Sequence, residues 1–427
     1  MIRKISIFVL LVILLIGCSN EDTSSNDETL EGDWYGSIET PNAPLPIEIS
    51  FETGEELSGT ISIPAQNLHD FSLSKMDYQD GELSFDMDIP GQVIRFKSTN
   101  ITDERIEGDF HQQGATFPFY LEKTSTNAEN TEDDTGEILT VESTYGELKG
   151  ELVVPEQATD TVALIIPGSG PTDRDGNTAL GKNNSLKFLA EFLKEEGIAS
   201  LRYDKRGAGL NTEAIIAEED MSFDDFIDDV VVWLEKLNEE EQFERIIVIG
   251  HSQGSLVGML AAVQADVDAF ISIAGAGRPI DEVLREQLRA QLEGQVMEEA
   301  NDILDELKEG NLVDDVSQPL QSTFRKSVQP FLMSWMKYDP TEEIKQLDVP
   351  MLIINGTTDL QVPVEDAEKL VEAADEADLA IIDDMNHVLK DAPSDENQNI
   401  QTYNQPNLPL STGLTSVISD FLNENGF

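Results

Sequence analysis

The sequence predicts a two-part chain: a small all-β domain followed by a larger α/β domain, whose mostly parallel sheet is flanked by helices and interrupted by a helical insertion. Three observations carry this. Apolar residues between positions 30 and 123 recur with a period near two, as in Ile47, Ile49 and Phe51, or Phe117, Phe119 and Leu121. After an acidic stretch at 124–137 with almost no large apolar side chain, short apolar strands alternate with amphipathic helical stretches, as βαβ units do. A long run of helical periodicity at 279–347 then breaks the alternation. At 427 residues the chain has room for two or three domains of about 150 residues each.

In chain order, Arg3 and Lys4 precede an apolar run at 5–16 that is too short for an ordinary membrane span and suits the core of a signal peptide. The run ends in Leu15-Ile16-Gly17-Cys18, which resembles the lipobox of bacterial lipoproteins. That resemblance implies a signal peptide at 1–17, cleavage before Cys18 and an acylated cysteine holding the exported protein on the outer face of the cell membrane. The alternative is an ordinary export signal with Cys18 incidental. Residues 18–29 are polar and acidic and read as a tether.

Residues 30–123 form the all-β part. Turn signals at Thr53-Gly54, Asp80-Gly81 and Pro90-Gly91 separate short antiparallel strands, so a small barrel or sandwich is expected. Its ends, around Trp34-Tyr35-Gly36 and Phe119-Tyr120-Leu121, loosely resemble the first and last strands of lipocalin-like modules, which leaves ligand binding open beside a spacer role. Residues 124–137 read as a linker and 138–427 as the α/β domain. Its strands are expected at 162–166, 198–203, 245–249, 269–274, 351–355 and 379–382, with helices near 185–196 and 223–237.

Charge and cysteine content narrow the function. A formal charge of −57 excludes nucleic acid and other polyanions as partners. Such acidity suits high salt, where counterions screen self-repulsion, and equally describes a plain acidic surface. The single cysteine rules out internal disulfides and thiolate metal clusters.

The strongest chemical signal is Gly250-His251-Ser252-Gln253-Gly254, a G-x-S-x-G motif that follows a β-branched strand and precedes an apolar helical stretch. A strand-to-helix turn this sharp strains the residue at its apex, and glycines at the flanks avoid collision with strand and helix. Ser252 is therefore the expected nucleophile. A serine hydroxyl needs a base. Of the four histidines, His69 and His111 belong to the β domain and His251 sits on the elbow itself, which leaves His387. Asp359, in the loop after the strand at 351–355, precedes His387 by enough chain for one helix and one strand, so both loops end at one sheet edge; Asp383 and Asp384 are nearer in sequence and worse placed. Oxyanion donors are expected from the backbone N–H groups of Gln253 and of Ser169, with Gly170 as the alternative, in the glycine-rich loop after the first parallel strand. Asp173 and Asp175 do not match a calcium loop, because Gly176 comes too early and no twelfth-position glutamate follows. No metal or other cofactor is expected.

Residues 137–427 resemble an α/β-hydrolase of the bacterial esterase and serine-aminopeptidase-like branch, on the strength of the elbow, PGSGPTDRDGN (167–177), LRYDKRGAG (201–209) and GTTDLQVP (356–363). The resemblance implies ester hydrolysis through an acyl-enzyme, with a small acyl ester as substrate and the insertion as a cap after the sixth strand. Pro167-Gly168 stands where other branches carry His-Gly. Phe324, Phe331, Leu332, Met333, Trp335 and Met336 would line an acyl pocket or seat the cap on the core, the latter being commoner for such a stripe. Arg202, Asp204, Lys205 and Arg206 are expected to form an ion-pair network below the site. A peptidase or amidase, and an envelope ligand-binding lipoprotein using the fold as scaffold, are the rival readings; oligomeric state is not legible.

Overall fold

A computed structural model describes residues 30–39, 44–53, 57–63, 68–79, 81–89, 92–102, 104–112, 115–123, 136–178, 181–289, 292–374 and 376–427. The expected signal peptide, Cys18, the tether and nearly all of the linker lie outside the described residues. The chain divides into two compact units, 1–129 and 130–427.

Among the described residues the first unit has nine antiparallel strands: β1 (Gly32–Glu39), β2 (Pro44–Glu52), β3 (Ser58–Ile63), β4 (Leu68–Ser72), β5 (Ser74–Gln79), β6 (Glu82–Ile89), β7 (Gln92–Ile101), β8 (Arg105–Gln112) and β9 (Ala115–Lys123). Consecutive strands pair from β1 to β4 and from β5 to β9, and β1 also pairs with β9, with Trp34 opposite Lys123. Among the described residues no pairing joins β4 to β5, so the sheet is a nearly closed up-and-down barrel rather than a sandwich. The period-two residues point inward. Trp34, Phe51, Phe85, Phe96 and Phe119 are buried, with Phe85 stacked on Phe96 at 4.8 Å and Phe119 edge-on to it at 5.1 Å. Each buried ring contributes roughly 2–3 kcal/mol of transfer free energy. These rings pack against one another in a single apolar cluster. Gly36 permits closure, since a Cβ there would lie 1.7 Å from the Tyr120 carbonyl oxygen.

Among the described residues the second unit is built on eight strands: β10 (Glu137–Ser143), β11 (Gly146–Val153), β12 (Thr161–Ile166), β13 (Ala199–Tyr203), β14 (Arg245–His251), β15 (Ala269–Ile273), β16 (Met351–Gly356) and β17 (Ala377–Ile382). Their order is β10-β11-β13-β12-β14-β15-β16-β17. β11 runs antiparallel to both neighbours and all later pairings are parallel. Because β12 has β13 on one side and β14 on the other, the chain reverses its direction of winding there, and the loops after β12 and β14 border the resulting crevice.

Strand residues bury alternately on two faces. One face carries Val162, Leu164, Val248 and Ile353 against α2 (Phe223–Glu239), α3 (Gln253–Ala262) and α9 (Val364–Ala373), which follow α1 (Ser185–Glu195) in the order numbered here. The other carries Ala163, Ile165, Ile247 and Ile354 against α1 and the C-terminal α11 (Thr412–Asn425), which follows the short α10 (Glu396–Gln401). Such two-sided burial explains the continuous apolar runs that announced these strands. Ser222 caps α2, its hydroxyl accepting from the Asp224 N–H while the Asp225 side chain accepts from the Ser222 N–H.

Between β15 and β16 the insertion forms α4 (Ile280–Arg289), α5 (Gly294–Lys308), α6 (Gln321–Phe324), α7 (Gln329–Trp335) and α8 (Pro340–Glu343). Its apolar stripe divides. Phe324, Leu332 and Met336 join Ile303, Leu304 and Leu307 in the cap's own core. Trp335 stacks on Phe223 of α2 at 5.2 Å, and Phe331 meets Phe226 edge-on at 5.6 Å. The stripe thus seats the cap on the core.

Candidate active site

Ser252 is the single residue between β14 and α3, at φ 54° and ψ −121°. No side chain relaxes there, and the neighbouring glycines show why the backbone holds it. A Cβ on Gly250 would lie 2.4 Å from the Gly254 carbonyl oxygen, and one on Gly254 would lie 2.4 Å from the Ile166 and 2.7 Å from the Pro167 carbonyl oxygens. The elbow is wedged against the end of β12, and only hydrogen fits at the contact. Gly254→Ala is therefore expected to destabilise the protein by about 2–4 kcal/mol, because backbone rather than a flexible side chain must yield. A urea midpoint equal to wild type would refute this.

Asp359 and His387 come together as expected. The His387 Nδ1 lies 2.8 Å from Asp359 Oδ2, with both side chains almost fully buried. Asp359 Oδ1 accepts the N–H groups of Gln361 at 2.7 Å and Val362 at 3.0 Å, so the carboxylate is held by its own loop. The two loops are bound to each other: the Thr358 N–H donates to the Met385 carbonyl and the Asp384 N–H to Thr357 Oγ1. Asn386 anchors the histidine loop, its buried amide donating to Asn399 Oδ1 and Thr402 Oγ1. Asp383 and Asp384 are exposed. His111 pairs with Thr116 in the barrel, and the His69 side chain lies outside the described residues.

His251 has a part that the sequence did not reveal. Its Nε2 donates to the His387 backbone carbonyl at 2.8 Å, and the two rings sit 5.1 Å apart. Burial, reinforced by the neighbouring His387 ring, pushes His251 down to about 4. Its folded value is thus below the ordinary one of about 6.5, so the unfolded chain takes up this proton first. Stability from this group is complete above about pH 6.5 and is lost as pH falls toward 4, by up to about 3 kcal/mol. Comparing urea midpoints across that window, the decline should be shallower in His251→Gln, which keeps a donor without the titration; equal slopes would sink the assignment.

The segment after β12 lies directly against the elbow. A Cβ on Gly168 would stand 3.3 Å from Ser252 Cβ and 3.4 Å from His251 Nδ1. Gly170 adopts φ +82°, which turns the loop outward, and Thr172 Oγ1 ties it by donating to the Ser169 carbonyl at 3.0 Å. Among the described residues no backbone carbonyl accepts from the Ser169 or Gly170 N–H, and the Gln253 N–H opens α3, where no preceding helical carbonyl can take it. Two segments therefore present free donors beside Ser252. Asp173 holds this loop's far end, its carboxylate accepting the N–H groups of Asp175 and Asn177 and the Asn177 amide.

The expected ion-pair network is present with one correction. Arg202 pairs with Glu151 and Asp175, Arg174 with Asp204 and Glu151, and Arg206 with Asp229. Lys205 is not part of it. Its Nζ donates to the Gly168 carbonyl and to Gln253 Oε1, each at 2.9 Å, and lies 4.2 Å from the Phe226 ring centroid. Burial pushes this amine down to about 7, against the opposing pull of the Asp229 carboxylate. Lys205 lies in the loop after β13, and the sequence does not disclose that its side chain turns to the elbow instead of to the network.

The strand order with its antiparallel second strand, the helices on both faces, the strained serine elbow and the acid–histidine loops at the same sheet edge are the features of the α/β-hydrolase fold. Residues 183–326 match a family model described as serine aminopeptidase, S33. The chain is 28% identical over 255 residues to Esterase EstD of Thermotoga maritima, covering 58% of this chain and 59% of that one, so it spans less than two thirds of that relative. Among solved structures it is similar to Est1E from Butyrivibrio proteoclasticus, at 18% identity and a TM-score of 0.46 over 68% of this chain and 98% of that one. A Mycobacterium smegmatis proline iminopeptidase is similar at 14% identity and a TM-score of 0.44, over 68% and 98% of the two chains.

Proposed function

We propose that the protein is a serine carboxylesterase that hydrolyses short to medium acyl esters through an acyl-enzyme. The observation that carries this is the buried Asp359–His387 hydrogen bond at the same sheet edge as the strained Ser252 elbow. In this reading Ser252 Oγ attacks the carbonyl carbon while His387 Nε2 takes its proton. Asp359 keeps the other proton on Nδ1 and stabilises the imidazolium that forms. The Ser169 and Gln253 N–H groups receive the oxyanion, His387 returns the proton to the leaving alcohol, and water repeats the sequence on the acyl-enzyme. The likeness to an esterase over the aligned region supports the choice of bond. The test is turnover of nitrophenyl esters from acetate to decanoate at low and high salt, by protein beginning at residue 19. Hydrolysis with a chain-length optimum supports the reading; folded protein inert in every salt overturns it.

The match to a serine aminopeptidase model favours a second reading, an exopeptidase using the same three residues. Aminoacyl nitroanilides cleaved faster than any ester would select it. We also propose that the protein is exported and held at the membrane by acylation of Cys18, as the Leu15-Ile16-Gly17-Cys18 sequence suggests. Fatty-acid labelling of the wild type that disappears in Cys18→Ser would support this, and labelling that persists would refute it.

A further inference from the structure

An oxyanion site made from two segments needs something to hold them in register. Its two donors come from the loop after β12 and from the first residue of α3, well separated in the chain. One side chain touches both. We propose that Lys205 is the positioning residue of this site, its buried amine tying the Gly168 carbonyl to the Gln253 side chain and so fixing where the Ser169 and Gln253 N–H groups point. The inference rests on the reading of Ser252 as nucleophile given above.

The geometry of the peptide bond carries the argument. The Gly168 carbonyl and the Ser169 N–H belong to one planar trans peptide and point in opposite directions. Gripping the oxygen from behind therefore aims the hydrogen forward. Lys205 Nζ makes this contact at 2.9 Å, and its second contact, also 2.9 Å, is to the side chain of the very residue that supplies the other donor. The Lys205 backbone adds a third tie, its N–H donating to the Thr172 carbonyl at 3.0 Å, so the loop is held at both ends. A donor on the carbonyl oxygen also polarises the peptide and strengthens its N–H toward a developing negative charge.

The expense of the arrangement points the same way. Lys205 is buried and, among the described residues, pairs with no carboxylate; the nearby Asp229 is bound bidentately by Arg206. A buried amine without a counter-charge is a poor stabilising device. A neutral donor would satisfy the same two acceptors at lower cost, so stability alone does not account for a lysine here.

The test compares wild type with Lys205→Met, Gln253→Leu and the double variant, reading kcat and KM on the best nitrophenyl ester and the rate at which a fluorophosphonate phosphonylates Ser252. Lys205→Met is expected to stay folded, with a lowered melting temperature because the Gly168 carbonyl and the Gln253 amide oxygen lose their donor, while kcat falls about 10- to 100-fold, KM stays within about threefold, and phosphonylation slows by the same factor as kcat. Gln253→Leu should lose less, because the amine still grips Gly168, and the double variant no more than Lys205→Met alone. Rates within twofold of wild type, a loss confined to KM, or additive losses in the double variant would overturn the proposal. Should Lys205→Met not fold, Gln253→Leu decides on the same readouts, and a Gln253→Leu enzyme with unchanged kcat overturns it. A wild type that is phosphonylated but cleaves no ester removes the ester reading and leaves this inference to be judged on the labelling rates. A wild type that is not labelled at all overturns both.

Discussion

Ser252→Ala is expected to lose ester turnover by at least about ten-thousandfold in kcat while keeping its fold. Removing the nucleophile of a serine hydrolase leaves only what binding and the oxyanion donors supply to attack by water, and losses near a millionfold are typical. The fold should survive because the strain at φ 54° is imposed by the neighbours, with Gly250 and Gly254 packed so closely that an added Cβ would lie 2.4 Å from a backbone carbonyl oxygen. Alanine at that φ is strained to much the same degree as serine, so the melting temperature should move by only a few degrees. Steady-state turnover and thermal melts on the purified variant measure both. A variant retaining a hundredth of the activity would remove Ser252 from the chemistry, and one that failed to fold would show that the hydroxyl has a structural partner.

What was legible in the sequence follows from how local each cause is. The elbow could be read because its five-residue pattern sits between an apolar strand and an apolar helix, although the contact that requires Gly254 is with Ile166 and Pro167 at the end of β12, far away in the chain. Asp359 and His387 could be read because each ends a strand of known order, and parallel strands bring their C-terminal loops to one edge. The hairpin of β10 and β11 was missed: exposed Glu147 and half-buried Lys149 interrupt the apolar pattern of β11, while β10 buries only Val141. Barrel closure was beyond reach because it depends on β1 meeting β9 across the whole domain. The partners of His251 and Lys205 were hidden for the same reason. Each bonds a backbone carbonyl far along the chain, 136 residues away for His251 and 37 for Lys205, and a carbonyl leaves no mark in a sequence.

Asp359→Asn is expected to lower kcat by about ten-thousandfold with little change in KM or stability, and the reason lies in which atoms the loop holds. Oδ1 of Asp359 accepts two backbone N–H groups, from Gln361 and Val362. In the asparagine the carbonyl oxygen must keep that position, since an NH₂ facing two N–H donors would leave all of them unpaired in a buried site. The amide nitrogen then faces His387 Nδ1 as a donor. Nδ1 must accept, its proton moves to Nε2, and the ring nitrogen turned toward the reacting serine can no longer take a proton. Asp359→Ala avoids this trap: Nδ1 can keep its proton toward water entering the gap, so it should be the less damaged variant despite losing more contacts. That order distinguishes a tautomer effect from a packing effect. Parallel kcat measurements on the two proteins decide it, and an asparagine variant more active than the alanine variant would show that Asp359 does not set the His387 tautomer.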